Sequence, residues 1–426
     1  MSDIILSAKE QEKLRIINTA RDRKITNGQA AKMLGISIRQ VKRLKKKIRE
    51  QGSYGIIHQL KRKQSNHHIE RNVKQNALQL IRKKYVDFKP RFATEKLQEI
   101  HGFTITSQTV RIWMQEARLW KTRKQKKAQY RAWRPRKEYF GELEQFDGSY
   151  HYWFENRYRN EKGESIEVCL LASIDDATGK ITKAQFVTNE GVIAVFTFWK
   201  AYTANIGKPL SIYLDKFSTY KINHKAALDN SELMTQFERA MKDLSIQLIT
   251  AHSPEAKGRV ERLFETLQDR LVKEMRLAGI NTPDAGNRFL EEVFIPKFNS
   301  RFAVSPAKEG NVHRPLSDTD QQTINRIFSV QQTRKVNNDF TIQFKNHWHQ
   351  LAELQTITVR ARETVLVEEW LNGTVHFSLR GKYLTYTILP ERPKRVRKQP
   401  IILTTHRLNW KPPADHPWRR PFKPRS

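Results

Sequence analysis

Residues 168–187, VCLLASIDDATGKITKAQFV, decide the fold class of the central region. Two apolar runs flank Asp176-Ala-Thr-Gly179, a turn tetrapeptide in which aspartate bonds the local backbone and glycine tolerates positive φ. They predict two strands joined by a tight turn. Just upstream, QFDGSYHYWF (145–154) predicts a further strand ending in aromatic residues. Downstream the pattern changes to alternation. A helix is expected over 192–206 and a short strand, SIYLD (211–215), after Pro209. A helix over about 231–244 precedes the strand IQLITA, and a long helix runs from about 257 to 278. Strands first, then strand and helix in turn, predict an α/β sheet with helices on its faces over 141–305.

Working outward, residues 306–332 form a connector to a second β region over 333–390. There Phe340, Ile342 and Phe344 alternate, as do Val375, Phe377 and Leu379. Asn372-Gly373 is a strong hairpin signal, and RGKY offers another turn. A small all-β barrel is the expectation. The tail, 391–426, holds 7 of the 16 prolines and reads as extended.

Toward the other end, 121–140 (KTRKQKKAQYRAWRPRKEYF) is a basic linker, because blocks of like charge resist compaction. Tyr130 and Trp133 there could stack on bases or dock on the next domain. Two all-α helix-turn-helix units precede it, over 1–60 and 61–120. In the first, Ala31 permits close helix approach, Gly35 turns the chain and Ser37 is placed to cap the next helix. Val41, Leu44 and Ile48 form that helix's apolar stripe. Arg39, Gln40, Lys42, Arg43, Lys45 and Lys46 lie on its other faces, where Arg39, Gln40, Lys42, Arg43 and Lys46 are candidate DNA contacts. In the second unit Gly102 breaks one helix, Ser107 is placed to cap another, and Val110, Trp113, Met114 and Ala117 make its stripe.

The 426-residue chain carries a net charge of +34, unevenly spread. Residues 1–140 hold 36 Lys/Arg against 11 Asp/Glu, and 391–426 hold 11 against 2, whereas 141–390 is neutral. Basic surfaces on folded helices suit a polyanion, and double-stranded DNA better than an anionic membrane. One cysteine, Cys169, excludes a disulfide framework and a Cys-rich zinc site. The N-terminus lacks the apolar stretch of a signal peptide, and no run of about 18 apolar residues occurs, so a cytoplasmic, membrane-free protein is expected.

A neutral region flanked by DNA-binding charge draws attention to its acids. Phosphodiester cleavage is commonly done with divalent ions held by converging carboxylates. Two carboxylates about 4 Å apart repel by roughly 4 kcal/mol at an effective dielectric near 20, so such a cluster needs its cation. Asp147 lies inside the first strand. Asp215 ends SIYLD at a carboxyl edge, where ligands of open α/β sheets bind. Asp229, in the following loop, competes with it, but a strand end fixes a ligand better than a loop does. Glu261 opens the last helix beside its stripe of Val260, Leu263, Phe264, Leu267 and Leu271, and Glu265 is its rival one turn on. Lys257 and Arg259 flank Glu261 and are candidates to hold DNA. Asp175 and Asp176 read as turn residues, and His67, His68 and His151 as structural or surface histidines.

FDGSYHYWFE, YLDKFSTYK and HSPEAKGRVERLFETLQDRLVKEMRLAGI resemble the integrase-type catalytic core of bacterial insertion-sequence transposases, particularly the ISNCY group. The resemblance spans roughly 20–390 and is most specific in KGRVER. It implies a ribonuclease-H-like core, shared more remotely with retroviral integrases. It also implies Asp147, Asp215 and Glu261 as a DDE set holding Mg²⁺, with Mn²⁺ as a substitute. By the same resemblance the chain nicks transposon ends, joins them to target DNA, works as a multimer on DNA and acts at the nucleoid. One departure is the 45 residues between Asp215 and Glu261, against about 35 in the retroviral relatives.

Overall fold

A computed structural model of the chain describes residues 6–58, 69–122, 134–215, 230–251, 258–391 and 411–419. It divides into two compact units, Met1–Ala128 and Gln129–Ser426.

The first unit is all helical. α1 (Ala8–Arg21), α2 (Asn27–Leu34) and α3 (Ile38–Gln51) close on a core of Ile16, Ile17, Ala20, Ala30, Ala31, Val41 and Ile48. Thr26 and Gln29 form a reciprocal capping box at the start of α2. Gly35, at φ 63°, turns the chain, and Ser37 Oγ accepts the Gln40 amide at 3.2 Å to start α3. A second core gathers α4 (Arg71–Lys84), α5 (Pro90–His101) and α6 (Ser107–Glu116) around Ile81, Tyr85, Phe88, Phe92, Leu97, Val110 and Met114. Gly102 breaks α5 in the left-handed region. The cap of α6 is Thr106, which takes the Thr109 amide at 3.3 Å, so Ser107 is the first helical residue instead of the cap.

The second unit begins with a five-stranded mixed sheet. Its strands are β1 (Leu143–His151), β2 (Val168–Asp175), β3 (Ile181–Val187), β4 (Ser211–Asp215) and β5 (Gln247–Ala251), in the order β3-β2-β1-β4-β5. β1, β2 and β3 are antiparallel neighbours, while β4 and β5 run parallel to β1. α7 (Val192–Asn205) and α8 (Asn230–Asp243) cover one face, contributing Phe196, Phe198, Trp199 and Phe237 to a core with Phe146, Leu171 and Ile212. α9 (Gly258–Leu277) covers the other, burying Val260, Leu263, Phe264, Leu267 and Leu271 against Leu170, Ala172 and Ile174. Each of those side chains contributes about 1.5–3 kcal/mol on burial.

Two further helices, α10 (Pro283–Phe289) and α11 (Ile295–Phe302), joined by a π turn over Leu290–Phe294, lie along the outer side of β3. The Asn287 amide accepts from Phe186 N at 2.6 Å and donates to Phe186 O at 3.1 Å. Asn299 does the same to Ile181, at 2.8 and 2.9 Å. Two side-chain amides thus take the place of a neighbouring strand at that edge. Gly286 makes the approach possible, since a Cβ there would meet Phe186 at 2.9 Å.

α12 (Asp318–Ile327) then packs Ile324 and Ile327 on the α7–α8 core. Seven strands follow: β6 (Val330–Lys335), β7 (Thr341–Phe344), β8 (His347–Leu351), β9 (Thr364–Glu369), β10 (Val375–Leu379), β11 (Lys382–Leu384) and β12 (Tyr386–Leu389). They pair into a four-stranded sheet, β11-β10-β9-β6, and a three-stranded one, β12-β8-β7, sharing a core of Ile342, Phe344, Leu351, Val365, Val367 and Phe377. The pairing among the described residues closes no ring, so two open sheets stand where a barrel was expected. Alternation specifies which face is buried, and closure depends on edge pairing it does not encode. Phe340 is also outside the strand, at φ 58° and 42% exposed. The Asn372-Gly373 signal holds as the β9–β10 loop, with Gly373 at φ 81°, and Arg380-Gly381 makes the two-residue turn to β11.

Candidate active site

β1 and β4 pair in parallel as Leu143 with Ser211, Glu144 with Ile212 and Gln145 with Tyr213. Continuing that offset two residues puts Asp147 level with Asp215, the last residue of β4. Of Asp215 the structure describes the backbone alone, and Asp229 and Lys257 lie outside the described residues. Asp147 pairs with Ala172 across the β1–β2 ladder, and directly paired residues share a face. Ala172 belongs to the core beneath α9, so the half-exposed Asp147 is on the α9 side of the sheet.

The start of α9 is fastened to that same face. Gln145, fully buried and two residues before Asp147, accepts the Val260 amide at 3.2 Å through Oε1. This satisfies one of the N–H groups left without a helical partner in the first turn, and it fixes the residue before Glu261. Glu261 itself is exposed, as is Glu265 one turn on. The mid-strand and strand-end aspartates thus lie level on neighbouring strands, and the helix that opens with Glu261 is tied to β1 two residues from Asp147. Among residues whose side chains are described, a set without Asp215, no three His, Cys, Asp or Glu gather as metal ligands.

A second acid group lies nearby, buried. Asp176 Oδ1 accepts from Arg134, from Arg259 Nη1 at 2.6 Å and from Gln145 Nε2 at 2.7 Å, and Oδ2 takes the Lys137 amide at 2.9 Å. Arg259, expected to hold DNA, is turned to this carboxylate, and burial holds its guanidinium below the usual arginine range. Asp175 is the turn residue expected, accepting from Thr178 N, Thr178 Oγ1 and Gly141 N. Burial pushes the Asp175 carboxyl up, against those hydrogen bonds. Its cross-strand neighbour Glu144 is raised well above the carboxylate range by burial and by Asp175. Two buried acids biased toward the neutral form are poor cation ligands.

Sequence reasoning missed Gln145. No local pattern marks a glutamine whose partners are 31 and 115 residues away. The Glu190 carboxylate fits against Gly148, where a Cβ would meet it at 2.7 Å. Cys169 is buried, and its thiol is pushed up by burial, by Glu190 and by Asp147. His151 is lowered by burial and packs edge-on against Trp153, while His67 and His68 lie outside the described residues.

In the first unit Arg39, Gln40, Lys42, Arg43 and Lys46 are all exposed on α3. Lys45 is different: its Nζ donates to Ala20 O at 2.9 Å and Asn27 Oδ1 at 3.2 Å, pinning α3 to α1 and α2. Tyr130 and Trp133 lie outside the described residues. No helix among the described residues is long and apolar enough to cross a membrane.

Residues 7–57 match the family described as Homeodomain-like domain. The chain is 35% identical over 402 residues to "Putative transposase y4bF" of Sinorhizobium fredii (strain NBRC 101917 / NGR234), covering 94% of this chain and 85% of that one. It is 27% identical to the transposase for insertion sequence IS1202 of Streptococcus pneumoniae, over 96% and 93% of the two chains. Among solved structures, a simian T-cell lymphotropic virus intasome in complex with PP2A regulatory subunit B56 gamma overlaps 71% of this chain and 100% of that one, at 15% identity and a TM-score of 0.32. The HTLV-2 integrase catalytic core domain in complex with magnesium overlaps 36% and 84%, at 22% and 0.25. A helix-turn-helix unit ahead of a mixed α/β core defines a DNA-handling protein. The chain belongs to the bacterial insertion-sequence transposases, and its business is DNA transposition.

Proposed function

We propose that the chain is a DDE polynucleotidyl transferase that binds transposon ends, cleaves a strand and joins it to target DNA. The observation that carries this reading is the β1–β4 register, with Asp147 level with Asp215, together with the attachment of the Glu261-bearing helix start to the Asp147 face. The strand order β3-β2-β1-β4-β5, in which β2 alone runs opposite to the others, supports a ribonuclease-H-like reading of the sheet. Asp147, Asp215 and Glu261 form an all-oxygen donor set, which suits Mg²⁺, a hard cation, and Mn²⁺ as its substitute. When bound there, such ions polarise the scissile phosphate and stabilise the leaving oxygen. The protein's own contribution is to hold three carboxylates from two strands and a helix in one place and to orient the DNA strand across them.

End recognition falls to α3, whose exposed Arg39, Gln40, Lys42, Arg43 and Lys46 would enter a major groove. Lys257, in the sequence just before α9, would hold the DNA strand, and Arg259 would act through Asp176 instead. Bringing two ends together calls for a multimer on DNA, working in the cytoplasm at the nucleoid. The test is labelled end DNA incubated with protein and Mg²⁺ or Mn²⁺. Nicked ends and joined products are expected. A shifted band without cleavage would leave a DNA-binding regulator, and hydrolysis without joining a plain nuclease.

A further inference from the structure

We infer that Gln145 and Asp176 are positioning residues that set the place of Glu261, an inference that rests on the metal-site reading above. Gln145 is completely buried, and both the nitrogen and the oxygen of its amide are hydrogen-bonded. Its Nε2 donates to Asp176 after the β2 strand and its Oε1 accepts from Val260 in the first turn of α9. Asp176, likewise completely buried, holds Arg259 of the same turn at 2.6 Å. Glu261 is therefore preceded by two residues, each tied separately to one carboxylate–amide pair. The tie runs to the stretch of β1 that carries Asp147, so the two ligand-bearing elements are set with respect to each other at this point.

A hydrophobic stripe alone would not do this. Val260, Leu263 and Leu267 hold α9 against the sheet, but apolar contacts are non-directional and leave the helix free to slip or turn slightly about its axis. A hydrogen bond to a particular first-turn amide fixes both. The same carboxylate also binds Arg134 and the Lys137 amide, from the segment that leads into β1. Asp176 thus ties three stretches of chain to one buried point.

The test uses the full chain and measures Mn²⁺ binding directly by electron paramagnetic resonance, without DNA or turnover, alongside joining of end DNA. Wild type, Glu261→Gln, Gln145→Met and Arg259→Lys are compared. Methionine keeps the volume of Gln145 and removes both hydrogen bonds, while Arg259→Lys perturbs the same tie from a partly exposed position, in case the buried variant does not fold. Partners behind metal ligands typically change metal affinity by about 10–100-fold, so Gln145→Met should raise half-saturating Mn²⁺ by about tenfold or more, and Arg259→Lys by less. Joining should recover at high Mn²⁺, a response that simple loss of folded protein would not give. An unshifted Mn²⁺ midpoint in folded Gln145→Met, with Glu261→Gln still deficient, overturns the positioning role alone. Identical binding by wild type and Glu261→Gln overturns the metal site, and this inference with it.

Discussion

On the proposed reading, the first 140 residues and the sheet that follows handle the same polymer by opposite means. The N-terminal region carries 36 basic residues against 11 acidic ones and exposes its cations along α3. The central region, 141–390, has no net charge, and its acids are positioned one by one, on a strand, at a strand end and at a helix start. Affinity for a polyanion adds up over many imprecise contacts, each releasing counterions. Chemistry at one phosphate depends on a few groups held in a fixed arrangement. In the first region a charge can move by a residue with little loss, and in the second a carboxylate cannot.

The largest effect is expected from Asp147→Asn. Joining of end DNA should fall by about 10⁴-fold or more, the scale seen when one member of a catalytic unit is removed, with end binding intact in a mobility-shift assay. Joining at the wild-type rate would remove Asp147 from the site. The complementary measurement is salt. If α3 and the basic linker make about 6–10 phosphate contacts, end affinity should drop roughly 10³–10⁵-fold between 50 and 200 mM salt. Neutralising Arg39, Arg43 and Lys46 together should reduce the log–log slope by about three while leaving turnover of saturated complex unchanged.

Smaller effects separate the two regions by stability. Ser37→Ala removes the cap of α3 and should cost about 1 kcal/mol, seen as earlier denaturant unfolding of the N-terminal helices with the α/β core unaffected. Glu144→Gln should act in the core and depend on pH. The folded protein holds the Glu144 pKa above its unfolded value, so that group's contribution is full below the ordinary glutamate range. It is lost as pH rises through the raised value. Wild type should therefore lose stability toward neutral and alkaline pH relative to Glu144→Gln, and the gap between their melting temperatures should widen in that direction. Parallel melting curves across the range would show that Glu144 does not titrate there.

Much of the core was legible because its signals are local. SIYLD is β4 residue for residue, and the Gly35 turn and Ser37 cap appear where backbone chemistry demands them. α9 begins and ends within a residue of its expected span, because its stripe has helical spacing throughout. The misses share a cause of another kind. α4 went unread because its apolar residues follow a run of charge, and only Ala77 and Ile81 become fully buried. α10 and α11 also went unread; their Gly286 and Pro296 serve as a close-approach point and in a helix first turn. The expected barrel failed on edge pairing, and Gln145 on sequence distance. What the chain states within a dozen residues could be read; what it states by bringing distant residues together could not.

The paired asparagines on β3 have a consequence for how copies of this protein can meet. With Asn287 and Asn299 each clasping both backbone groups of a β3 residue, an arriving strand finds those docking points already filled from within. Sheet-to-sheet splicing along this flank would require peeling α10 and α11 away first. At those positions that margin of the sheet is closed to strand exchange between copies.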